Sequence, residues 1–300
     1  MSFQHIKMSL SQQSDDVYCI IINPSHHPSV ESHLTTMHLH HNETLFNENI
    51  VISLSKYFPK DVLVEPHYHR RGQIIYADSG VMELYINHNY WLIPPLKGIW
   101  IPPYCEHQMR AKTNLHLKTL YIDLNKSNFQ LPTEILEISI SPLLKELLIR
   151  ASNIPYHYSK NSFEEKLLNF TIDEILNCKN NLPHLPIGKD PRIQSLCKYL
   201  IKNPKDKQSL TAWGLNLGAS PRTIMRLFQQ QTGLSYTLWR ENLKVLHAIT
   251  LLTEGKSVGY IATNLGYASQ SSFSVMFKRI TGTSPKDYVK KYCSHAFIQP

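Results

Sequence analysis

The pattern of apolar and polar positions divides the chain into two parts with different periodicities. Between about residues 45 and 125, short runs rich in β-branched and aromatic residues are bounded by proline, glycine or asparagine. Such runs are typical of strands, and their close spacing favours an antiparallel sandwich or barrel. The predicted strands include VISLSKYF at 51–58, QIIYADSG at 73–80, VMELYIN at 81–87 and LKTLYID at 117–123.

Two helices are predicted after the strands. Ser141 and Pro142 suit the N-cap and first position of one helix, and Ser162 with Glu165 forms a capping-box pattern for the next. The stretch 178–191 contains three prolines and a glycine, which is typical of a linker. The first predicted helix carries Leu143, Leu144, Leu147 and Leu148 on one face, and the second carries Leu167, Leu168, Phe170, Ile172, Ile175 and Leu176.

An internal repeat organises the residues after 190. Leu217-Gly218, Phe228 and Thr232-Gly233 recur as Leu265-Gly266, Phe277 and Thr281-Gly282, at an offset of 48 residues and then 49. A long helix over roughly Tyr236–Thr253 is predicted to join the two copies. Repetition of one helical unit indicates two copies of the same supersecondary structure.

Each copy has the pattern of a helix-turn-helix. A short helix is predicted to end at Gly218 or Gly266, and Ser220 or Ser269 is predicted to cap a second helix. The apolar stripes of the second helices are Ile224, Leu227 and Phe228 in one copy, and Phe273, Met276 and Phe277 in the other. Their opposite faces carry Arg222, Met225, Arg226 and Gln229, and Gln270, Ser271, Ser274 and Lys278. In a major groove, arginine can bind guanine and glutamine can bind adenine, while cap serines suit phosphates.

Charge supports the same interpretation. The net charge is +8, and residues 190–300 carry +10 against −2 for the rest, which indicates a polyanionic partner for the C-terminal part. At 42% hydrophobic and 18% charged, the chain does not have the composition of a disordered protein. No apolar run approaches the ~20 residues of a membrane span, and the N-terminus lacks a secretory pattern. Five scattered cysteines fit a reducing cytoplasm: Cys19, Cys105, Cys178, Cys197 and Cys293.

The C-terminal part resembles the AraC/XylS family of transcription regulators. The resemblance covers about 110 residues and rests on SPRTIMRLFQQQTG at 220–233, IATNLGYASQSSFSVMFKRITGTSP at 261–285, and Tyr288. It implies two helix-turn-helix units on a rigid connecting helix that read successive major grooves. It places Arg222, Thr223, Met225 and Arg226 on the first reading helix, and Gln270, Ser271, Ser272 and Ser274 on the second. With the cap serines and Lys278, the predicted DNA-binding residues are Ser220, Arg222, Thr223, Met225, Arg226, Ser269, Gln270, Ser271, Ser272, Ser274 and Lys278.

Two positions depart from the family pattern. Gly214 stands where the family favours alanine, which is expected to loosen the first short helix. Val275 stands where relatives often have arginine, so base reading by the second helix is expected to be weaker or to fall to its neighbours.

The N-terminal part resembles the cupin fold, a small β-barrel, over about residues 45–125. The motifs are His67-x-His69-x3-Gln73-x6-Gly80 and GIWIPPYCEH at 98–107. The resemblance implies that His67, His69, Gln73 and His107 match metal-ligating positions. Position 73 is usually glutamate in the metallo-enzymes of that fold, and a glutamine brings no negative charge and no obvious base for turnover. This departure favours a sensor over an enzyme.

Three interpretations of His67, His69 and His107 remain open: a divalent metal site, the polar lining of a small-molecule pocket, or histidines hydrogen-bonded inside a barrel. No cofactor is certain. Tyr76, Tyr85 and Trp100 are candidates for lining the same cavity, or are ordinary core aromatics. The candidate effector-binding residues are therefore His67, His69, Gln73, Tyr76, Tyr85 and His107. The histidines at positions 26, 27, 33, 38, 40 and 41 are interpreted as solvated loop residues.

The predicted architecture is α+β with two domains. Residues 1–180 form a cupin-like effector-sensing domain with C-terminal helices, 181–191 a linker, and 192–300 an all-α tandem helix-turn-helix domain. The predicted function is sequence-specific regulation of transcription, without enzyme activity, in the cytoplasm. The predicted partners are double-stranded promoter DNA, a small effector, a second subunit, and RNA polymerase if the protein activates; no membrane is involved. The alternatives are a metal-dependent cupin oxygenase or isomerase fused to a DNA-binding module, and a constitutive architectural DNA binder.

Overall fold

The computed structural model describes residues 21–22, 48–178 and 184–292. The histidine-rich stretch at 26–41, Cys19 and Cys293 lie outside the described residues, so the interpretation of those histidines is not tested. Within the described ranges the N-terminal part consists of strands followed by two helices, and the C-terminal part is helical. The predicted α+β organisation is therefore confirmed.

The strands form two antiparallel sheets. The strands are β1 Ile21–Ile22, β2 Val51–Phe58, β3 Leu63–His67, β4 Gly72–Ser79, β5 Met82–Ile86, β6 Asn89–Ile93, β7 Lys97–Ile101, β8 His107–Ala111, β9 Leu115–Ile122, β10 Leu136–Ser139 and β11 Leu185–Pro186. One sheet has the order β1-β3-β8-β5-β6-β11 and the other the order β10-β7-β4-β9-β2. The predicted strand at 51–58 is β2 with the predicted bounds, and the neighbouring predictions correspond to β4, β5 and β9.

The two sheets pack face to face around an apolar core. Ile75 and Ala77 of β4 contribute to this core from one sheet, and Leu84 and Ile86 of β5 contribute from the other. Because successive strand residues point to opposite faces, the intervening positions of both strands face outward from the core. We call this two-sheet unit and its following helices the sensor domain.

Two helices cover the outer face of the second sheet. Helix α1 spans Pro142–Ala151 and α2 spans Phe163–Asn177, capped by Ser141 and Ser162 as predicted. Their buried side chains pack on the outward-facing residues of β4, β7 and β9. The predicted apolar faces of these helices are wrong in part, because Leu143 of α1 is 51% exposed and Phe170 of α2 is 47% exposed. Glu165 also completes its cap differently, by accepting from the backbone N–H of Asn161 at 2.6 Å.

The segment predicted as a linker contains a short strand. Leu185 and Pro186 form β11, which adds to the edge of the first sheet beside β6. Leu185 and Ile187 are buried. The Pro186 carbonyl accepts a hydrogen bond from the indole Nε1 of Trp239 at 2.8 Å. The described part of this segment is therefore packed between the two domains.

Seven helices follow among the described residues, and we call them the reader domain. The long connecting helix, α6, spans Tyr236–Thr253, which are the predicted bounds. None of the helices within the described ranges is both long and apolar enough to cross a membrane. The helices are α3 Pro191–Lys202, α4 Leu210–Leu217, α5 Pro221–Thr232, α6 Tyr236–Thr253, α7 Val258–Asn264, α8 Gln270–Thr281 and α9 Pro285–Tyr292.

The hydrophobic core of the reader domain extends into the sensor domain. Val81, which precedes β5, and Tyr90 and Leu92 of β6 belong to the same buried cluster as Trp239 and Phe228. A salt bridge of 3.5 Å between Lys60 and Glu254 also joins the two domains. The packing of α6 is thus directly connected to β5 and β6.

Gly214 lies in α4, and the backbone of the following turn lies close to its Cα atom. A Cβ atom at this position would lie 2.4 Å from the backbone oxygen of Ala219. The Ala219 N–H in turn donates to the Gly214 carbonyl at 3.0 Å. An alanine would not fit here unless the turn shifted, and the expectation that glycine loosens this helix stays a prediction.

We expect Gly214→Ala to lower the free energy of unfolding by about 1–3 kcal/mol, since an added methyl would force the turn apart. At an ordinary helix position the same change would stabilise by about 1 kcal/mol. Gly259→Ala in α7 is the matched control, because its nearest neighbour would be a flexible glutamine side-chain oxygen at 3.4 Å. Urea denaturation of both variants measures the effect. A Gly214→Ala protein at least as stable as the control would contradict this account.

Candidate DNA interface and histidine pocket

The start of the first reading helix, α5, is set by residues at both ends of the turn that joins it to α4. Gly218 ends α4 in the left-handed conformation at φ 62°, as predicted. The Ser220 side chain then caps α5 by accepting from the Thr223 N–H at 3.2 Å, and Pro221 occupies the first turn. Ile224 and Phe228 are buried on its inner face, which confirms the predicted stripe. The turn and the core together fix which face of α5 remains outside.

The outer face of α5 is exposed and basic. Arg222 and Arg226 are both exposed, and Met225 between them is 50% exposed. Nη1 of Arg226 donates to Oε1 of Gln230 at 3.0 Å. The Thr223 hydroxyl is half-buried and hydrogen-bonded to Ser220 at 2.9 Å, so it belongs to the cap. The arginines are thus exposed cationic donors on the outer face of α5.

The second reading helix, α8, repeats the cap but has a different outer face. Ser269 accepts from the Ser272 N–H at 3.1 Å. The hydroxyls of Ser272 and Ser274 donate to the backbone oxygens of Ser269 and Gln270, each at 2.8 Å. Because both hydroxyl hydrogens already bond to backbone oxygens of α8, only the oxygens of Ser272 and Ser274 remain available, as acceptors. Exposed side chains on this face include Gln270, Ser271 and Lys278.

An exposed apolar residue marks the difference between the two helices. Val275 occupies in α8 the repeat position that Arg226 occupies in α5, and it is 71% exposed. A valine this exposed contributes little to the core of the reader domain. Val275 is thus an apolar part of the outer face of α8. The expectation that base reading by this helix is weaker or falls to its neighbours stays a prediction.

Three histidine rings converge inside the sensor domain. His67 and His107 pair across β3 and β8, and His69 follows directly after β3. All three are buried, and candidate ligand atoms of the three rings lie within 4.8 Å of one another. The predicted cluster is therefore formed, although His69 reaches it from a loop and not from a strand.

Each ring has its tautomer set by a backbone carbonyl. Nδ1 of His67 lies 2.8 Å from the Glu65 oxygen, and Nδ1 of His107 lies 2.9 Å from the Cys105 oxygen. Nδ1 of His69 lies 2.5 Å from the Arg71 oxygen. A carbonyl can only accept, so each Nδ1 carries the proton and each neutral ring has its lone pair on Nε2. This arrangement is the usual one for histidines that ligate a metal through Nε2.

The side-chain oxygen of Gln73 is a second acceptor, and it faces the Nε2 lone pair of His69. Its Nε2 donates to the hydroxyls of Thr119 and Tyr121 at 3.0 and 2.9 Å. Thr119 donates its own hydrogen to the Ile74 oxygen at 2.8 Å, so its oxygen must accept from Gln73. The amide orientation is thereby fixed, and Oε1 of Gln73 faces Nε2 of His69 at 3.0 Å. Two acceptors at this distance require a proton or a cation between them.

The surroundings of the histidines disfavour a proton, as opposed to a cation, between His69 and Gln73. Burial is the main cause that lowers the pKa of His67 to about 4, and burial also lowers the pKa of His69. Neutral imidazoles and an amide oxygen form a donor set that suits a divalent transition metal. A tetrahedral site with metal–nitrogen bonds of about 2.1 Å has edges of about 3.4 Å. The histidine ligand atoms, which lie within 4.8 Å of one another, would therefore move closer together around an ion, and the His69–Gln73 pair at 3.0 Å would move slightly apart. The residues therefore fit a divalent metal.

The cavity beside the histidines is small. It has a volume of about 40 Å³ and is lined by His67, Gln73, His107 and Tyr121 together with apolar residues such as Met109. Pockets for organic ligands usually measure about 300–1,000 Å³. In this conformation the cavity has room for an ion or a few waters, not for a metabolite.

The three aromatic candidates do not line this cavity. Tyr76 and Trp100 lie on the outer face of the second sheet, in the cluster beneath α1 and α2. Tyr85 faces outward from β5 and packs against the core shared with the reader domain. The placement of Tyr76 and Tyr85 beside the histidines is wrong, because strand alternation puts them opposite Gln73 and Leu84. The alternative interpretation as core aromatics is confirmed for all three.

Comparison with known families matches both domains. Residues 51–145 match the profile of the AraC-like ligand binding domain, and residues 214–291 match that of a helix-turn-helix domain. These ranges contain the histidine cluster and both reading helices. The match thus covers the two candidate sites described above.

Similar proteins are transcription regulators. The chain is 31% identical over 232 residues to the HTH-type transcriptional regulator NimR of Escherichia coli K12, covering 77% of this chain and 84% of that protein. It is 31% identical over 111 residues to the arabinose operon regulatory protein of the same organism, covering 36% of this chain and 37% of that protein. A solved structure of ToxT from Vibrio cholerae aligns with 81% of this chain and 99% of that one, at 14% identity and a TM-score of 0.36. The chain belongs to the AraC family of transcription regulators, with an N-terminal ligand-binding domain and a C-terminal helix-turn-helix domain.

Proposed function

We propose that this regulator reads an operator by inserting α5 and α8 into two major grooves. The observation that carries the proposal is the repeated, serine-capped helix whose apolar stripe is buried and whose polar face is exposed. Residues 190–300 carry a charge of +10, which complements DNA phosphates. The protein would act in the cytoplasm on promoter DNA, and RNA polymerase would be a further partner if it activates transcription.

The two reading helices would recognise different bases. Arg222 and Arg226 suit guanine, and Gln270 suits adenine. Val275 suits contact with a thymine methyl group, since it is exposed and apolar. The capping serines and Lys278 would bind phosphates and orient the helices without reading sequence. Ser271, Ser272 and Ser274 would act mainly as acceptors, and Met225 and Thr223 would pack against the groove wall and the cap.

The sensor domain would hold a divalent metal through His67, His69 and His107, with Gln73 as a fourth ligand. The facing acceptors of His69 and Gln73 are the observation that favours an ion over a structural hydrogen-bond cluster. When bound, the metal would supply an electrophilic centre for an anionic effector, or would itself be the effector. Gln73 supports sensing and not turnover, because it is held by Thr119 and Tyr121 and cannot act as a base.

The first sheet offers a route from this site to the reader domain. His107 begins β8, which pairs with β5, and β5 pairs with β6. Strand β6 in turn pairs with β11, whose Pro186 contacts Trp239 of α6. Effector binding would shift the population of reader orientations through this route.

The helices α1 and α2 would form a homodimer interface. Phe163 and Phe170 lie two helical turns apart on one side of α2 and are 63% and 47% exposed. Leu143 of α1 is similarly exposed. Large apolar side chains on adjacent helices are typical of a protein–protein contact.

Arg226→Ala should weaken binding to a duplex selected by the wild-type protein by about 1–3 kcal/mol and relax base preference at one position. Arg192→Ala on α3 is the control, since it removes the same charge from outside the reading helices. Fluorescence anisotropy at fixed salt, with the selected duplex and single-base variants, measures both effects. Equal affinity of Arg226→Ala and wild type would show that α5 does not read this site.

Protein purified without a histidine tag should contain about one equivalent of divalent metal, measured by elemental mass spectrometry. His69→Ala should lose it, while His116→Ala should retain it, because His116 is exposed and bonds Ser55 at 2.9 Å outside the cluster. A wild-type content below about a tenth of an equivalent after metal supplementation would remove the metal proposal. Metal-dependent substrate turnover would instead favour the enzyme alternative.

The double variant Phe163→Gln, Phe170→Gln should be monomeric where the wild type is dimeric, because it removes the apolar contact of α2. The control replaces Tyr57 and Tyr104, which are also exposed but lie outside α1 and α2. Sedimentation equilibrium over a range of concentrations distinguishes the two. A wild-type protein that stays monomeric throughout, or a double variant that still dimerises, would contradict this interface.

A further inference from the structure

A second cavity lies within the reader domain. It has a volume of about 210 Å³ and is formed by the loop between α3 and α4, by α6, and by the turn between α7 and α8. None of its lining residues belongs to the reading helices α5 or α8. It is therefore separate from both sites described above.

The lining of this cavity is strongly basic. Four cationic side chains and one carboxylate contribute, and none of the four forms an ion pair within 4 Å in the described parts of the chain. The carboxylate of Asp206 accepts from the Gln208 N–H at 2.8 Å and, more distantly, from the Tyr199 hydroxyl. A net charge of about +3 is thus concentrated in one concave surface. The cationic residues are Lys205, Lys207, Arg240 and Lys244.

Arg240 forms part of the wall of this cavity. Its Nη2 donates to the backbone oxygens of Pro204 and Asp206, which holds the guanidinium in place. Its Nη1 is buried and is not exposed to the cavity. Burial raises the pKa of Tyr236, and the charge and hydrogen bonding of the Arg240 guanidinium oppose this rise. The guanidinium therefore contributes a fixed positive charge to the cavity.

Lys244 adds a second positioned cation. Its Nζ lies 4.7 Å from the centroid of the Tyr267 ring. Burial lowers the pKa of Lys244, and the nearby charges of Arg240 and Lys207 lower it further. Glu241 opposes this effect, but its carboxylate is already paired with Arg279 at 2.7 Å. The positive charges of Lys244, Arg240 and Lys207 repel one another, and an anion bound between them would offset this repulsion.

We propose that this cavity binds a phosphate group. A phosphate there would lie in the field of the fixed Arg240 charge and would offer several acceptor oxygens to the lysines around it. The volume of about 210 Å³ accommodates one hydrated phosphate.

Two sources could supply this phosphate. One is the DNA backbone between the two reading helices, and this source rests on the proposed DNA-reading function. The other is free orthophosphate or a small phosphorylated metabolite, which needs no DNA. The two sources are distinguished by separate measurements on the full-length protein.

The first measurement is calorimetric titration with sodium orthophosphate, with sodium chloride at equal ionic strength as the blank. The double variant Lys205→Gln, Lys207→Gln should bind phosphate about tenfold more weakly than wild type, because two exposed charge contacts are lost. Lys198→Gln with Lys202→Gln is the matched control, which removes equal charge from exposed positions on α3 outside the cavity. Lys244→Gln should also lose binding and Lys244→Arg should retain it.

The second measurement is the salt dependence of binding to sonicated genomic DNA. If the cavity holds a backbone phosphate, the Lys205→Gln, Lys207→Gln variant should lose about 0.9 from the slope of log Kobs against log salt for each lost contact, and more than the control does. An effect on orthophosphate alone assigns a free ligand. Equal behaviour of cavity and control variants in both measurements overturns the proposal. Absence of DNA binding in every protein would count against the DNA-reading function and leave the orthophosphate titration decisive.

Discussion

A two-residue strand and one indole hold the helix that joins the two reading units against the sensor domain. Pro186 has no N–H group, so its carbonyl is its only backbone hydrogen-bonding group, and Trp239 donates to that carbonyl from α6. The preceding residue, Leu185, is buried in the core that Val81 and Leu92 share with the reader domain. Because α6 has one helix-turn-helix at each end, a displacement of this contact would be transmitted to both reading helices. The two domains are therefore connected mechanically as well as by sequence.

Local signals allowed much of the reader domain to be predicted. The bounds of α6, the serine caps of α5 and α8 and the left-handed Gly218 all depend on residues within one or two turns of each other. Such interactions depend on residues close in sequence, so a single sequence contains them. The crowding at Gly214 could not be predicted for the opposite reason. The backbone oxygen of Ala219 that excludes a methyl group there is fixed by the turn and not by the helix pattern.

The sensor domain was harder to predict because its second sheet is buried on both faces. Alternation shows that Gln73 and Ile75 share one face of β4 and that Tyr76 lies on the other, but it does not show which face encloses the cavity. The fixed amide of Gln73 depends on Thr119 and Tyr121, more than 40 residues away. The histidine cluster was recognisable from its motif. Its tautomers and the facing acceptors were accessible only from the structure.

The two candidate ligand sites have opposite electrostatic deficits. In the sensor domain, Nε2 of His69 and Oε1 of Gln73 are acceptors that face each other, which favours a cation. In the reader domain, the like charges of Lys205, Lys207, Arg240 and Lys244 are concentrated around one cavity, which favours an anion. A ligand that binds only the folded protein would relieve the imbalance at its site and would stabilise the domain that holds it. Because the two domains share one core, binding at either site can change affinity at the other, and linkage requires that this change be reciprocal.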